Sequence, residues 1–434
     1  MIATIIISII TFILVALSIL FLPSIKIKNI KIDTYWIVSL LGAFILFISQ
    51  LVPFETIVDQ LTSSNSINPL KILILFFSMT ILSIFLDEVG LFRYLAKKAV
   101  KFAKKSQISL FIVLYVLTSI LTIFTSNDIV ILTLTPFICF FCKNTKISPL
   151  PFLVAEFAAA NTWSMMLIIG NPTNIYLATY ANISFLDYFR MMFFPTIAAG
   201  IIEVFVILFI FRKHLKEPLS VVEDDFEIES KLDLIVGLLH LGVCLIFLVI
   251  SSYINWEMWL IALICASSLL ISVIIIRLIT RKNWNYVGDS FKRLPYQLIP
   301  FVLSMFIIVI TLNYQGVSNE IAKFLGDKST IWTYGTTSFL TANIINNIPM
   351  SILYASLPAS LPGDALTGAI YSTIIGSNIG AFLTPIGALA GIMFSSLLRK
   401  YDVKYGFVEF IEYGSIISIP TICVALLVLN LILL

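Results

Sequence analysis

Apolar runs long enough to cross a bilayer as a helix, roughly eighteen residues or more, recur along this 434-residue chain. They predict spans at 1–22, 34–53, 70–86, 149–181, 191–211, 232–251, 257–276, 294–312, 367–398 and 409–433. Two further apolar segments, 106–142 and 330–358, are broken near their middles by polar residues. Segment 106–142 is too long for one span, and its centre reads Phe124-Thr125-Ser126-Asn127-Asp128. Water is absent at that depth, so an ionisable Asp128 there marks a functional site by default. Between 91 and 105 the pattern turns amphipathic: Arg93, Lys97, Lys98, Lys101, Lys104 and Lys105 oppose Leu91, Leu95 and Phe102. That is the pattern of a helix lying on the cytoplasmic surface.

Basic residues then fix the threading. Lys and Arg gather in 23–33, 87–105, 143–148, 212–231, 277–293 and 399–408. Only Lys71, Arg190, Lys323 and Lys328 of the 27 fall elsewhere. The positive-inside rule places the first group in the cytoplasm. This holds only if 106–142 enters and leaves on one side, as a re-entrant hairpin with Ser126-Asn127-Asp128 at its tip. The fold class expected is an all-α polytopic membrane protein, with ten spans, two hairpins and both termini outside. Residues 1–211 and 232–434 then carry the same order of elements, and five crossings in the first half invert the second. The acidic stretch 217–229, within a linker 212–231, joins them as a solvated tether. Inverted repeats of this kind build secondary transporters.

Four breaks carry the candidate chemistry. They are Ser126-Asn127-Asp128, Gly170-Asn171-Pro172-Thr173-Asn174, the run Asn343 to Pro349 with Asn346 and Asn347, and Gly376-Ser377-Asn378 continuing to Thr384-Pro385. Gly and Pro interrupt the helical hydrogen-bond ladder, and Asn, Ser and Thr add donors and acceptors. In a membrane, freed backbone groups are tolerated only inside protein or against a wet cavity. Gly and Pro also kink packed helices for no functional reason, but four Asn-rich breaks at matching places of two repeats point to one polar site. Substrate- and ion-binding candidates are therefore Ser126, Asn127, Asp128, Asn171, Thr173, Asn174, Asn343, Asn346, Asn347, Ser377, Asn378 and Thr384.

Glu156 and Asp128 are candidates for a proton relay, and Glu203 and His240 are further polar groups inside spans. The chain is 59% apolar and 12% charged, against about 25% charged in soluble domains. Its first run lacks a basic leader and a cleavage site, so it reads as a retained span. The five cysteines, Cys139, Cys142, Cys244, Cys265 and Cys423, lie in apolar segments and predict neither a disulfide framework nor a metal site. Two histidines, His214 and His240, stand apart, so no catalytic set is assembled and no cofactor is expected. The Ile-, Lys- and Asn-rich composition points to a bacterial plasma membrane, with a small inorganic or organic solute and the lipid as partners and no nucleic acid.

The motifs carry a family resemblance. Ser126-Asn127-Asp128 with Leu134-Thr135-Pro136, Gly170-Asn171-Pro172-Thr173-Asn174, Asn346-Asn347-Ile348-Pro349, and the run Leu383-Thr384-Pro385-Ile386-Gly387-Ala388-Leu389-Ala390 resemble the arsenite permeases of the arsenical-pump type, within the ion transporter superfamily. The resemblance covers nearly the whole chain. It implies a scaffold, a moving transport domain, and efflux of arsenite or antimonite in exchange for protons. Homodimers are common in that superfamily, and other members carry citrate or dicarboxylates with sodium, or exchange sodium for protons. Coupling by H+ or by Na+ thus stays open. Ala388 stands where the family usually has Ser, and Gly380-Ala381-Phe382 replaces a Pro-containing stretch.

Overall fold

The computed structural model describes the whole chain except 28–29, 63–67, 104–105, 217–227, 229, 281–284 and 358–360. The first half runs α1 (Ile2–Phe21), β1 (Ser24–Ile27), β2 (Ile30–Asp33), α2 (Tyr35–Ile48), α3 (Phe54–Thr62), α4 (Pro69–Glu88), α5 (Leu91–Phe102), α6 (Gln107–Phe124), α7 (Asn127–Thr145), α8 (Leu150–Trp163), α9 (Pro172–Tyr180) and α10 (Phe185–Phe211). The second runs α11 (Lys231–Ile254), α12 (Met258–Thr280), α13 (Asn285–Lys292), α14 (Leu298–Tyr314), α15 (Val317–Leu325), α16 (Thr330–Ile345), α17 (Asn347–Ser356), α18 (Gly363–Gly380), α19 (Leu389–Lys400) and α20 (Phe407–Leu433). The order of helices repeats one for one, α1 with α11 through α10 with α20. The acidic stretch of the linker, with Glu217, Glu223, Asp224, Asp225, Glu227 and Glu229, lies outside the described residues.

Helix contacts also exchange between the halves. α6 packs on α8 as α16 packs on α18, α7 on α19 as α17 on α9, and α2 on α14 as α12 on α4, while α10 packs on α20. Two halves that trade partners in this way enclose one shared interior.

Three features were not read from the pattern. A short antiparallel ribbon, Ser24 opposite Asp33, fills the loop after α1, a small exception to an all-α chain. Short amphipathic helices α3, α13 and α15 lie between spans; α15 turns 79° away from α14. Of the ten spans expected, the described residues hold eight helices long and apolar enough to cross, or nine with the bent α14–α15 pair. Both hairpin arms, α6 and α7, are among the eight, whereas α8–α9 and α18–α19 are split into pieces too short to qualify. Whether α6 and α7 cross fully or turn back midway, the chain returns to the side it came from, and the basic loops keep their sides.

Local rules set the ends. Asn68 caps α4, its Oδ1 accepting from Leu70 N at 2.8 Å, with Pro69 at the first helical position. Gly90, at φ 90°, makes the turn into α5. At the same end, Arg293 bridges Asp87 and Glu88 at 2.6 Å each, and Asp87 accepts from Thr133 of α7 at 2.9 Å. Burial pulls the Arg293 pKa down, but the carboxylates outweigh it and hold it above its ordinary value. Arg277 pairs with Asp233, both buried, tying the last turn of α12 to the first turn of α11.

α16 and α18 approach through glycines. A Cβ on Gly376 would lie 2.1 Å from Ser338 Oγ and 2.4 Å from the Gly335 carbonyl, the close backbone approach that small residues permit between membrane helices. Gly376→Ala is expected to destabilise the protein by about 1–3 kcal/mol through overpacking. Gly242→Ala, with open space around its Cβ, should be neutral or stabilising by up to about 1 kcal/mol. Thermal unfolding of the two variants in detergent checks both, and equal midpoints would overturn the close-packing account.

Candidate functional site

The first break follows α6. Thr125 leaves helical geometry at φ −126°, ψ −115°, and Ser126 is extended. α7 then restarts at Asn127, whose Nδ2 donates to Asn161 Oδ1 of α8 at 3.2 Å. Asn127 Oδ1 accepts from the Asp128 amide at 2.9 Å. The Asp128 side chain is half-buried and has no hydrogen-bond partner among the described residues.

The second break is larger. After Trp163 the chain makes two single 3-10 turns, Ser164–Met166 and Ile168–Gly170, before α9 starts under the cap of Asn171. Gly170 is required there, because a Cβ would sit 2.2 Å from the Ser164 carbonyl oxygen. Asn171 Oδ1 accepts from the Thr173 amide and hydroxyl, both at 3.1 Å. Asn174 Nδ2 donates to the carbonyls of Ser164 at 2.8 Å and Leu167 at 3.2 Å.

Asn378, from the last turn of α18, closes this cluster. Its Oδ1 accepts from Ser164 Oγ at 2.9 Å and Asn171 Nδ2 at 3.0 Å. Its Nδ2 donates to Asn174 Oδ1 at 2.7 Å and to the Ile374 carbonyl at 2.8 Å. Two lone pairs and two N–H groups are all used. Ser164 Oγ also lies 2.7 Å from the Asn161 carbonyl, so its one hydrogen is shared between that oxygen and Asn378 Oδ1. A buried chain of polar groups therefore runs from Asn127 through Asn161 and Ser164 to Asn378.

The third and fourth breaks hold each other. Asn346 is left-handed at φ 73°; its Nδ2 donates to the Ile386 carbonyl at 2.9 Å and its Oδ1 accepts from Ile348 N at 3.3 Å. The Asn347 amide N–H donates to the Gly387 carbonyl at 2.9 Å. Asn343 Nδ2 donates to the carbonyls of Phe339 at 2.8 Å and Gly380 at 2.9 Å, and its Oδ1 accepts from Thr384 at 2.8 Å. Ser377 meets Ser351 of α17 at 3.4 Å.

The candidates thus fall into two kinds. Asn171, Thr173, Asn174, Asn343, Asn346, Asn378 and Thr384 spend their side chains on holding broken backbone in place. Asp128 and Asn347, at the two hairpin tips, make no side-chain hydrogen bond beyond their own segments. Ser126 Oγ is buried and unpartnered. Glu156 is joined not to Asp128 but to Thr135 of α7, whose hydroxyl lies 2.9 Å from both carboxyl oxygens. Asn161, Ser164 and Ser351 belong to the network and were missed from sequence. An Asn ending the Ala158-Ala159-Ala160 run was the available signal for the first.

Pockets lie at both ends of α4. A pocket of about 420 Å³ at its N-terminal end includes Lys71, Thr179, Asn182 and Glu257. There the Lys71 ammonium lies 2.6 Å from Glu257 and the Trp259 ring N–H 2.7 Å from it. Burial raises the Glu257 pKa, yet these contacts together leave it below its ordinary value. A cavity of about 30 Å³, lined by Ile72, Phe76, Thr173, Ile348 and Ser351, follows further in, room for about one water. A pocket of about 490 Å³ at the C-terminal end of α4 includes Asp87, Arg93, Thr133 and Pro136.

A family model described as citrate transporter matches residues 2–372. The arsenical pump membrane protein of Escherichia coli is 26% identical over 384 residues, covering 82% of this chain and 85% of its own length. Its namesake in Yersinia enterocolitica is 24% identical over 382 residues, with the same coverage. Among solved structures, the Alcanivorax borkumensis YdaH transporter aligns with a TM-score of 0.56 at 14% identity, over 99% of this chain and 97% of its own. At that identity the likeness carries the fold alone.

Asn378→Ala strands Asn171 Nδ2 and Asn174 Oδ1 and leaves the Ser164 hydroxyl only the Asn161 carbonyl, so it should destabilise the protein by at least about 1–3 kcal/mol. Asn347→Ala, which breaks no side-chain hydrogen bond, should melt close to the parent. Unfolding followed by tryptophan fluorescence in detergent separates the two, and a neutral Asn378→Ala would contradict the hub.

Proposed function

The chain belongs to the citrate transporter family, a multi-pass membrane transporter of the ion transporter superfamily, and from this we propose that it exports arsenite or antimonite in exchange for protons. The observation that carries the reading is the division of labour at the breaks: a rigid amide network holds two hairpin tips, and of the tip side chains only Asp128 is both ionisable and unpaired. A neutral metalloid hydroxide needs hydrogen-bond partners rather than a counter-charge, and the four breaks offer Asn, Ser and Thr with no Lys or Arg. The relatives named arsenical pump membrane proteins support that substrate class.

In this reading residues 1–211 and 232–434 are inverted repeats joined by 212–231, with both termini outside a plasma membrane. The hairpins α6–α7 and α16–α17 turn back at mid-depth. Asn161, which meets the first tip, lies roughly 17 Å along α8 from Leu150, about half of a 30 Å hydrocarbon core. The hairpins and broken helices form the body that moves, by an elevator or rocking motion, against α2, α4, α12 and α14. A homodimer fits the superfamily plan.

The family's description favours a second reading, sodium-coupled transport of citrate or another carboxylate. Helix amides would then take the part of cationic side chains. A sodium/proton exchange at Asp128 is the third.

Reconstitution into liposomes separates these. With an imposed proton gradient, arsenite should accumulate, and collapsing the gradient should abolish it. Sodium-dependent citrate uptake would replace the first reading by the second, and sodium-evoked proton movement alone would select the third. Asp128→Asn should abolish arsenite resistance in a sensitive host while leaving the protein folded. Full resistance in that variant would remove Asp128 from coupling.

A further inference from the structure

Glu203 lies on α10, away from the hairpin tips, fully buried and without a cationic partner among the described residues. Its Oε2 accepts a hydrogen bond from Thr162 of α8. Its Oε1 is 2.9 Å from the Tyr115 hydroxyl. That hydroxyl is also 2.8 Å from the Gly200 carbonyl and accepts from Trp163 Nε1 at 3.1 Å. A phenol has one hydrogen to give. If Gly200 receives it, the contact with Glu203 is a hydrogen bond only when the carboxyl carries the proton and donates. That assignment gives every group a partner, whereas a carboxylate would be an uncompensated charge in a dry interior.

Tyr115 stands at the start of an unusual face. Tyr115, Thr118 and Thr122 share the buried side of α6, which packs on α8 and the turns at 164–170. Thr118 and Thr122 are fully buried, Ser126 is 5% exposed, and none of their three hydroxyls has a hydrogen-bond partner. Ser119 and Thr125, beside them, donate to the carbonyl one turn back at 2.8 and 2.6 Å, as hydroxyls in helices ordinarily do. Thr118 and Thr122, four apart, differ by a rise of about 6 Å along α6, about two hydrogen-bond lengths, so a water set between them would complete both hydroxyls. The line ends at Ser126, two residues from the unpaired Asp128 carboxyl.

We propose that the Tyr115–Thr118–Thr122–Ser126 line is a water-bridged proton path connecting a protonated Glu203 with Asp128 at the hairpin tip. Its part in coupling rests on the proton-exchange reading above, but the path itself is defined without a substrate. The proton moves by exchange along hydroxyls and waters, with no bond made other than O–H and no redox change. Tyr35 of α2 stands within electrostatic reach of Asp128, and His214 lies in the short turn packed on α6; around Glu203 the neighbouring elements present few competing groups. On α8, Glu156 is occupied by Thr135. On α20, Glu409, Glu412 and Tyr413 sit near the start, where Tyr413 meets Phe211 about two turns from Glu203. On α11, Asp233 is paired with Arg277, and His240 contacts the Val236 carbonyl and Ser268.

Infrared spectroscopy of the full-length protein in lipid vesicles, transferred from H2O to D2O, reads both halves of the proposal. A carbonyl band of a protonated carboxyl is expected at neutral pH, present in the parent and missing in Glu203→Gln. Its deuterium shift should slow on the order of tenfold or more in Thr118→Val and Thr122→Val, as removal of a proton-transfer group does, and return to the parent rate in Thr122→Ser. No band lost in Glu203→Gln would overturn the protonated carboxyl. Equal exchange rates in the valine variants would overturn the path. Neither result uses arsenite, so a parent protein that fails to move arsenite counts against the substrate alone.

Discussion

Inside a bilayer, a backbone N–H or C=O that leaves its helix must find a partner within the protein. The rest of this architecture follows from that constraint. Four helices stop at buried residues, Thr125, Ser164, Asn346 and Ala381, and each stop strands amides and carbonyls. Asparagine is suited to the task because one short side chain offers two donors and two acceptor sites. Asn378 uses all four at once, on three different segments. Removing such a partner leaves buried groups unsatisfied at about 1–3 kcal/mol each, so the network holds its geometry firmly.

The exchange of helix contacts between halves has the same origin. A broken helix cannot satisfy its ends alone; some partners come from its own half, as Gly380 and Ile386 do for Asn343 and Asn346, and others from the other half, as Asn378 does for Asn171 and Asn174. α9 therefore meets α17, and α19 meets α7. The Asn171–Asn378 and Asn174–Asn378 bonds cross from one half to the other. The two halves are thus completed by each other, and neither presents a finished polar centre by itself.

Much of this was legible in the sequence, because membrane threading is governed by a few strong signals. Apolar length located the spans, and Lys and Arg required 106–142 to return to its own side. The Gly-, Pro- and Asn-rich breaks marked where backbone would be freed. What stayed hidden were the partners. Nothing local distinguishes Asn378, fully occupied by backbone and amides, from Asn347, which is unoccupied, since both are Asn in an apolar context. Ser164 was hidden because one serine in a span is ordinary until its neighbour across the interface is known. The short helices α3, α13 and α15 were missed because their amphipathic runs are too brief for a span and carry few charges. Tyr115 and its line of threonines escaped for a different reason. Threonine in a helix usually bonds its own backbone, so only coordinates reveal that two of them do not.

The halves match in order and contact, yet not in chemistry. Asn127 and Asn347 begin the second arms of the two hairpins, but the next residue is Asp128 in one and Ile348 in the other. Asn171 caps α9 with its side chain, whereas Ala388, at the corresponding start of α19, has none to offer. An asparagine cap consumes the first amides of the helix that follows, and an alanine leaves them available. One half therefore has an ionisable tip beside a capped helix, and the other a neutral amide tip beside an uncapped one. The ionisable tip thus belongs to the first half, and the broken helix that starts without a side-chain cap to the second. The order and contacts of the backbone repeat between the halves, and the side chains at the breaks make the halves different.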